Sequence, residues 1–407
     1  MIREQPIDAE FELLVRCCGV ARGIPVWGPI AQSSLPVGFD EARFVDMAIQ
    51  HKTAATAYAG LKMLGLRLEP EHASRLRRIA MKARLDRELI VREAGAIAEA
   101  AVRSGIEVAV LKGPASSKEL YGDAYAREYI DLDILVNLPE IAPAIPFMAA
   151  LGYAPEDYSP PAGDGIGENS LVQRGHHVVF WKASSPSRVE MHDRAGWERE
   201  RYGRDSIDAV FARAVRLEES GYGFPAPCLA DHAAIIIAHG TQHAWCLLHW
   251  VLDAAALCTR SAEPAESRAA AEIVQSLGME RLAALAYLVA AKLYDIGPPP
   301  AYAASAVFLR GVRRSAEFAF RRLLAGGRDS AQLRNIIGLQ SAYAFPLLKT
   351  PREKAGSIFG LLKIPPKDIE AVPLPRPLFF VHLLLRPWFV MSRRWRRWKL
   401  ARGIGNA

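Results

Sequence analysis

The sequence predicts an α+β protein with a small mixed β-sheet core, helices before the core and a helical domain after it. Three observations lead to this fold class. Residues 41–104 carry apolar side chains at spacings of three and four, which is typical of amphipathic helices. Short apolar runs separated by Gly and Pro follow as far as His192, and these indicate strands. Long helical patterns return from Leu229 onward.

The composition supports a folded chain with four regions. Its 407 residues are 51% hydrophobic and 23% charged, which is ordinary for a globular protein. Five cysteines without a Cys-x-x-Cys pair favour reduced thiols over a disulfide framework or a zinc site. The predicted regions are an N-terminal helical region (1–89), the sheet core (90–215), a helical domain (216–350) and a proline-containing linker with a basic aromatic tail (351–407).

The core is predicted to alternate helices and strands. Its elements are a helix over 81–104, a strand over 107–111, a short helix and loop after Lys112-Gly113-Pro114, a strand over 130–136, a helix over 141–151 opened by Pro139, a loop over 155–170, and strands over 176–182 and 188–192. This order brings two strands that carry acidic residues into one sheet.

Beyond the core, the pattern is helical. Long helices are predicted from Leu229 to about Leu293, and the run Gly297–Pro300 breaks them. A second helical block over 301–348 is interrupted at Gly326-Gly327, and no repeat of fixed period is present.

The strand over 130–136 contains two carboxylates in an otherwise apolar run. Alternate residues of a strand share a face, so Asp131 and Asp133 lie about 6.5–7 Å apart on one side. Burying unpaired carboxylates is costly, and a divalent cation such as Mg²⁺ removes that cost. Glu190, on a strand with the same alternation, is the candidate for a third carboxylate.

The turn after the first strand is a candidate phosphate site. Gly113 permits close approach of the backbone, and Ser116 and Ser117 at the start of the following helix offer donors. Lys112 and Arg127 add positive charge where a triphosphate would lie, although an arginine near two aspartates is also a common structural ion pair.

These residues resemble a known family. The run LKGPASSKELYGDAYAREYIDLDILV (111–136) is similar to the signature of the uncharacterised bacterial nucleotidyltransferase family, a branch of the polymerase-beta-like nucleotidyltransferase superfamily. The resemblance extends to VEMH (189–192) and to AHGTQHAWCLLHWVLDAAAL (238–257), and it covers roughly residues 40 to 290. The chain has Gly-Pro where the superfamily usually has Gly-Ser or Gly-Gly.

The resemblance implies a metal-dependent transferase, and the acidic residues near the N-terminus favour a cytoplasmic location over secretion. Such a transferase would move an NMP group from an NTP, such as ATP, to an acceptor that the sequence does not identify, and pyrophosphate would leave. Asp131 and Asp133 would bind Mg²⁺ or Mn²⁺, while Glu190 would bind one of the ions or act as base. The alternatives are a catalytically inactive or weak accessory protein, associated with a membrane surface or RNA, and a transferase acting on RNA.

Three histidines are candidates for a supporting part. His192 lies two residues after Glu190 and faces the same way. His239 and His243 are four apart on a predicted helix, which puts both rings on one side. Histidines of the core or of a hydrogen-bond network are the favoured interpretation, a substrate contact comes next, and a zinc site is disfavoured because the HExxH base is missing.

The formal charge of +7 is concentrated at the C-terminal end. Residues 371–407 contain eight Lys or Arg and no Asp or Glu. The apolar part of the segment 378–402 is too short and too interrupted, by Arg386 and Pro387, to span a bilayer. A helix docked on the protein, a helix on an anionic membrane surface, an RNA contact and a protein partner all remain open for it. Acidic residues near the N-terminus argue against a signal peptide.

Overall fold

The chain folds into two compact units, which are described separately. The first comprises Met1–Glu156 and His177–Leu347, and the second comprises Asp157–His176 and Leu348–Ala407. The computed structural model describes residues 7–28, 34–138, 143–156, 177–185, 187–193, 204–260, 264–299, 312–326, 343–348, 350–351, 354–355, 366–378 and 380–401.

Four helices precede the sheet of the first unit. They are α1 (Ala9–Ala21), α2 (Glu41–Gln50), α3 (Ala54–Met63) and α4 (Pro70–Arg103). Asp8 and Asp40 cap α1 and α2 by accepting hydrogen bonds from the backbone N–H groups of Phe11 and Arg43, as is typical of the residue before a helix. The helix predicted over 81–104 is the second half of α4, so the predicted boundary at residue 89 falls inside a helix.

The five strands of the main sheet form a mixed sheet, which confirms the predicted α+β class. They are β1 (Val108–Val110), β2 (Asp131–Val136), β3 (Ala154–Glu156), β4 (His177–Trp181) and β5 (Arg188–His192). Their order is β1-β2-β5-β4-β3, in which β2 and β5 are parallel and the other three pairs are antiparallel. β2 and β5 are therefore neighbours although β3 and β4 lie between them in the sequence.

The register of β2 and β5 fixes which side chains meet. Asp133 lies opposite Glu190, and Asp131 lies opposite Arg188. Neighbouring strands are only about 4.8 Å apart, so side chains at paired positions on one face are in reach of each other. The parallel pairing therefore brings the second aspartate of the Asp-x-Asp pair to the glutamate.

Short helices and a second sheet complete this part of the fold. They are α5 (Pro114–Tyr121), α6 (Ala144–Ala150), α7 (Arg204–Ala212) and the hairpin strands β6 (Val215–Glu219) and β7 (Tyr222–Ala226). The sequence interpretation missed this hairpin. It also missed β3, because Pro155 and Glu156 were taken into the predicted loop over 155–170, whose remaining residues lie outside the described part.

A layer of helices follows the hairpin, as predicted for the region after Leu229. They are α8 (Leu229–Gln242), α9 (Leu248–Arg260), α10 (Pro264–Ser276), α11 (Glu280–Ala291) and α12 (Arg313–Leu324). α8, α9 and α11 contribute many fully buried side chains to the core, and α1 and α3 pack on the same apolar cluster. Of the block predicted over 301–348, only residues 312–326 and 343–348 are described.

One glycine sets the distance between α1 and α3. A Cβ atom on Gly60 would lie 2.1 Å from the backbone oxygen of Cys17, so only glycine allows the two helices to approach this closely. The cysteines at 17, 18, 228, 246 and 258 are free thiols. Burial raises the pKa of the Cys18 thiol to about 12, so this thiol is protonated at neutral pH.

The second unit contains two described α-helices. α13 (Pro366–Ala371) lies within the predicted linker, and α14 (Phe380–Ala401) covers most of the predicted tail and continues through Pro387. His382, on α14, contacts the backbone oxygen of Val372 just after α13 at 2.9 Å. Among the described helices, none is both long enough and apolar enough to cross a membrane.

Candidate active site

Two neighbouring strands place three potential ligands at one point of the sheet. Asp133 on β2 and Glu190 on β5 are register partners, and His192 follows two residues later on β5. Their ligand atoms all lie within 4.8 Å of one another. The Nε2 atom of His192 is 3.0 Å from Oδ1 of Asp133 and 3.7 Å from Oε2 of Glu190.

Lys112 adds a positive charge to this cluster. The backbone N–H of Leu111 donates to the backbone oxygen of Asp133 at 2.9 Å, which extends the β1–β2 ladder and puts the next residue beside the site. The ammonium of Lys112 lies 2.9 Å from Oδ1 of Asp133. Gly113 then turns the chain into α5 with φ of 61°, a left-handed conformation that suits glycine.

The electrostatics of the cluster shift the pKa values of Asp133 and Glu190 in opposite directions. Burial by itself raises the pKa of Asp133, but the ammonium of Lys112 and the hydrogen bond with His192 hold that pKa well below its ordinary value. The pKa of Glu190 is raised, first by burial and then by the negative charge of Asp133. Asp133 is therefore the more firmly ionised of the two, and Glu190 is the better proton acceptor.

Asp131 lies at the start of β2, outside the group of ligand atoms formed by Asp133, Glu190 and His192. It is half-buried, and its charge contributes to the raised pKa of Glu190, so it lies near the same site. The three carboxylates predicted as a set are thus divided into a close pair and a more distant member. The metal-binding part predicted for Asp131 stays a prediction.

The two serines at the start of α5 differ in their contacts. Ser116 is buried, and its hydroxyl has no hydrogen-bond partner among the described residues. The hydroxyl of Ser117 donates to the backbone oxygen of Asp123 at 2.7 Å and accepts from the backbone N–H of Arg127 at 2.9 Å. Ser117 therefore holds the loop between α5 and β2, whereas Ser116 keeps an available donor.

Arg127 makes its buried ion pair with Asp253 and not with an aspartate of the Asp-x-Asp pair. Its Nε donates to Oδ2 of Asp253 on α9 at 2.7 Å, and the hydroxyl of Tyr121 donates to Oδ1 of the same carboxylate at 2.9 Å. Burial disfavours the charge of Arg127, but Asp253 outweighs it and raises the pKa of the guanidinium. This contact joins the loop before β2 to the helical layer.

His239 lies on α8 and His243 directly follows that helix, and both are near the ammonium of Lys112. Nδ1 of His239 lies 3.4 Å from the ammonium of Lys112. His239 and His243 are in ring contact at 4.7 Å, and the ring of His243 stacks on Trp250 at 4.7 Å. Burial, followed by the nearby charge of Lys112, lowers the pKa of both histidines, to about 4 for His243. These imidazole rings are therefore uncharged at neutral pH and lie near the ammonium of Lys112.

The donor set fits a divalent metal ion. Two carboxylates and an imidazole converge, and the raised pKa of Glu190 reflects the cost of crowding two negative groups in a buried place. A cation between them would remove that cost. Asp133, Glu190 and His192 are the residues that could hold such an ion.

The hairpin β6–β7, which sequence interpretation missed, supports the loop before β2. A carboxylate oxygen of Glu219 accepts hydrogen bonds from the Lys118 ammonium at 3.2 Å and from the backbone N–H of Ala124 at 3.0 Å. Ser220 and Gly221 both have positive φ, as a two-residue hairpin turn requires. The Ser-Gly pair between two short alternating runs was the available signal.

One protein family matches the central part of the chain. A family model described as "Uncharacterised nucleotidyltransferase" matches residues 38–295. This match includes every strand described above and the helices α2 to α11. No curated protein matches the sequence.

Proposed function

The chain belongs to the family of uncharacterised nucleotidyltransferases, and from this membership we propose that it transfers an NMP group from an NTP to an acceptor. One observation carries the proposal, which is the meeting of Asp133 and Glu190 across parallel strands with Lys112 beside them. The cluster offers carboxylates to a divalent cation and an ammonium to phosphate oxygens. Nucleotidyl transfer requires both at one place.

Asp133 and Glu190 would hold the metal ion, Mg²⁺ or Mn²⁺, with His192 as a further donor and Asp131 as the nearby second aspartate. When bound, the ion neutralises phosphate charge and lowers the pKa of the acceptor hydroxyl. Asp133 is suited to this part because its low pKa keeps it ionised. His192 orients the Asp133 carboxylate through the contact at 3.0 Å.

The reaction itself is a displacement at phosphorus. The acceptor oxygen forms a bond to the α-phosphorus of the NTP, and its proton passes to a carboxylate oxygen of Glu190. The bond between the α-phosphorus and the oxygen that bridges to the β-phosphorus breaks, and pyrophosphate leaves. Glu190 takes this proton only where it is not itself a ligand of the ion; without the ion, its raised pKa makes it the better of the two clustered carboxylates for accepting a proton.

The phosphate groups are held by the turn after β1. Lys112 exchanges its contact with Asp133 for the phosphate oxygens, and the absence of a side chain at Gly113 lets the backbone approach them. The available hydroxyl of Ser116 is a further donor. Ser117 and Arg127 already bind Asp123 and Asp253, so they act by positioning the loop.

The test combines nucleotide binding with label transfer. Calorimetric titration of the full chain with each NTP is expected to give binding that requires Mg²⁺ or Mn²⁺. Incubation with an NTP labelled at the α-phosphate and a cell extract is expected to transfer the label to one acceptor and to release pyrophosphate. Absence of both metal-dependent NTP binding and label transfer would overturn the proposal in favour of an accessory protein.

A further inference from the structure

The C-terminal helix α14 exposes a continuous apolar stripe. Phe380, Leu384, Trp388, Met391 and Trp395 are spaced by four and three residues, so at 3.6 residues per turn they fall within an arc of about 80°. Each has between 53% and 74% of its surface exposed. Large side chains at this spacing normally face a core or a binding partner.

The opposite side of α14 is the one that packs within the second unit. His382 and Phe389 are buried there, and their rings are stacked with centroids 6.2 Å apart. Nε2 of His382 also contacts the backbone oxygen of Val372 at 2.9 Å. The helix is therefore held by one face, and the apolar stripe is on the other.

The charge of α14 identifies the surface that the stripe fits. The helix has five Arg and one Lys and no Asp or Glu, and residues 393–399 contain five of these six cations. Such a segment is attracted to anionic lipid headgroups. Tryptophan side chains favour the interface between headgroups and acyl chains.

We propose that α14 binds along the surface of an anionic membrane, with its apolar stripe inserted at the interface. Insertion accounts for the aliphatic members Leu384 and Met391, which stacking on nucleic acid bases would not use. The proposal concerns the second unit alone. It does not depend on nucleotidyl transfer, so Asp133→Asn is expected to bind vesicles like the wild type.

The test is sedimentation of the full-length protein with lipid vesicles. Vesicles of phosphatidylcholine with phosphatidylglycerol are expected to bind the protein, and phosphatidylcholine alone is expected to bind it weakly. Salt should weaken the binding to anionic vesicles because it screens the charges. The double variant Leu384→Gln with Trp388→Gln is expected to lose at least about ten-fold in affinity, since two inserted apolar side chains are removed.

A matched control makes the same changes in the first unit. Leu85 on α4 and Trp181 on β4 are exposed to a similar degree, at 60% and 48%, and Leu85→Gln with Trp181→Gln should leave vesicle binding unchanged. The proposal is overturned if the wild type does not bind anionic vesicles or if both double variants lose affinity equally. Salt-sensitive binding to single-stranded RNA without vesicle binding would assign the helix to nucleic acid instead.

Discussion

Two buried aspartates of the first unit each have a cation as partner, and the two pairs differ in their remaining contacts. Asp253 accepts from both Arg127 and Tyr121, so its two carboxylate oxygens have fixed donors. Asp133 has Lys112 and His192 at the same oxygen, and a second carboxylate, Glu190, lies beside them. Both carboxylate oxygens of Asp253 thus have hydrogen-bond donors, whereas Asp133 and Glu190 have oxygen atoms that could bind a cation.

The two cations match this difference. A guanidinium is planar and holds a carboxylate in a fixed geometry, whereas an ammonium is a point charge on a flexible stem. Arg127 thus fixes the loop before β2 to α9, whereas under the proposed function Lys112 would move from Asp133 to a phosphate. A buried aspartate is therefore a sign of chemistry only when its partner is free to exchange.

Replacing Asp133 by Asn tests the exchangeable pair most directly. Removing the ionised carboxylate should lower the kcat/KM of NMP transfer at least about a thousand-fold, or about 4 kcal/mol. The change also leaves the ammonium of Lys112 without its buried carboxylate, so a loss of stability of about 3–5 kcal/mol is expected as well. The measurements are pyrophosphate release and thermal unfolding. Asp46→Asn, at the surface, is the control, and an active Asp133→Asn enzyme would contradict the site assignment.

Replacing Asp253 by Asn should lower stability while leaving the reacting groups of the site in place. The change leaves the buried charge of Arg127 without its carboxylate, and breaking a buried ion pair costs about 3–5 kcal/mol of stability. Denaturant unfolding measures this loss. Tyr121→Phe removes only one hydrogen bond and should cost about 1 kcal/mol. If Asp253→Asn left stability unchanged but removed activity, the division between the two pairs would be wrong.

Two buried histidines, His232 and His51, should lower the stability of the fold at acidic pH. Burial lowers the pKa of His232 from 6.5 to about 4, and of His51 likewise, so these rings stay neutral in the folded protein. Keeping these rings neutral costs nothing above pH 6.5. As the pH falls from 6.5 toward 4, the unfolded chain binds protons that the folded protein excludes, so the free energy of unfolding decreases. For His232 this is roughly 3 kcal/mol, at about 1.4 kcal/mol per pKa unit.

Unfolding free energy measured at several pH values checks this expectation. His232→Gln keeps a donor for the backbone oxygen of Leu111, which lies 3.0 Å from Nε2, and should flatten the loss between pH 6.5 and 4. His72→Gln, on the first turn of α4, should leave the curve as in the wild type. An equal flattening in both variants would contradict the assignment to His232.

Glu190→Gln should sharpen the comparison at the level of proton transfer. Loss of a general base lowers the rate by about a hundred-fold or more. In the wild type, kcat/KM should fall at acidic pH, because the carboxylate of Glu190 must be ionised either to bind the ion or to accept the proton. The variant should lose this acidic limb, while Glu99→Gln on α4 should keep it. An unchanged limb in Glu190→Gln would give the base role to another group.

Much of the sheet followed from local sequence patterns. The alternation around Asp131 and Asp133 identified β2, and the same alternation around Glu190 identified β5, because the strand period is visible within a few residues. The strand β3 was missed because it is three residues long and contains Pro155. β1 is equally short and also lies at an edge of the sheet, but its apolar run identified it, whereas β3 has no such run.

The contacts of the site were harder to predict than its residues. Nothing near Arg127 in the sequence indicates that its partner is Asp253, 126 residues away on α9. The place of His192 within the ligand group depends on the register of β5 and on the side-chain torsions, which no sequence period fixes. Lys112 was identified from the turn that follows it, but its contact with His239 required the packing of α8.

The parallel pairing of β2 and β5 also determines where relatives can gain or lose residues without losing the ligand group. Residues inserted between Glu156 and His177 join elements at the far edge of the sheet, so relatives are expected to differ in length there without loss of the ligand group. A single residue deleted within β5 before Glu190 would instead turn that carboxylate to the other face, since side chains alternate. Gaps in an alignment of active relatives should therefore collect between Glu156 and His177 and should avoid β2 and β5.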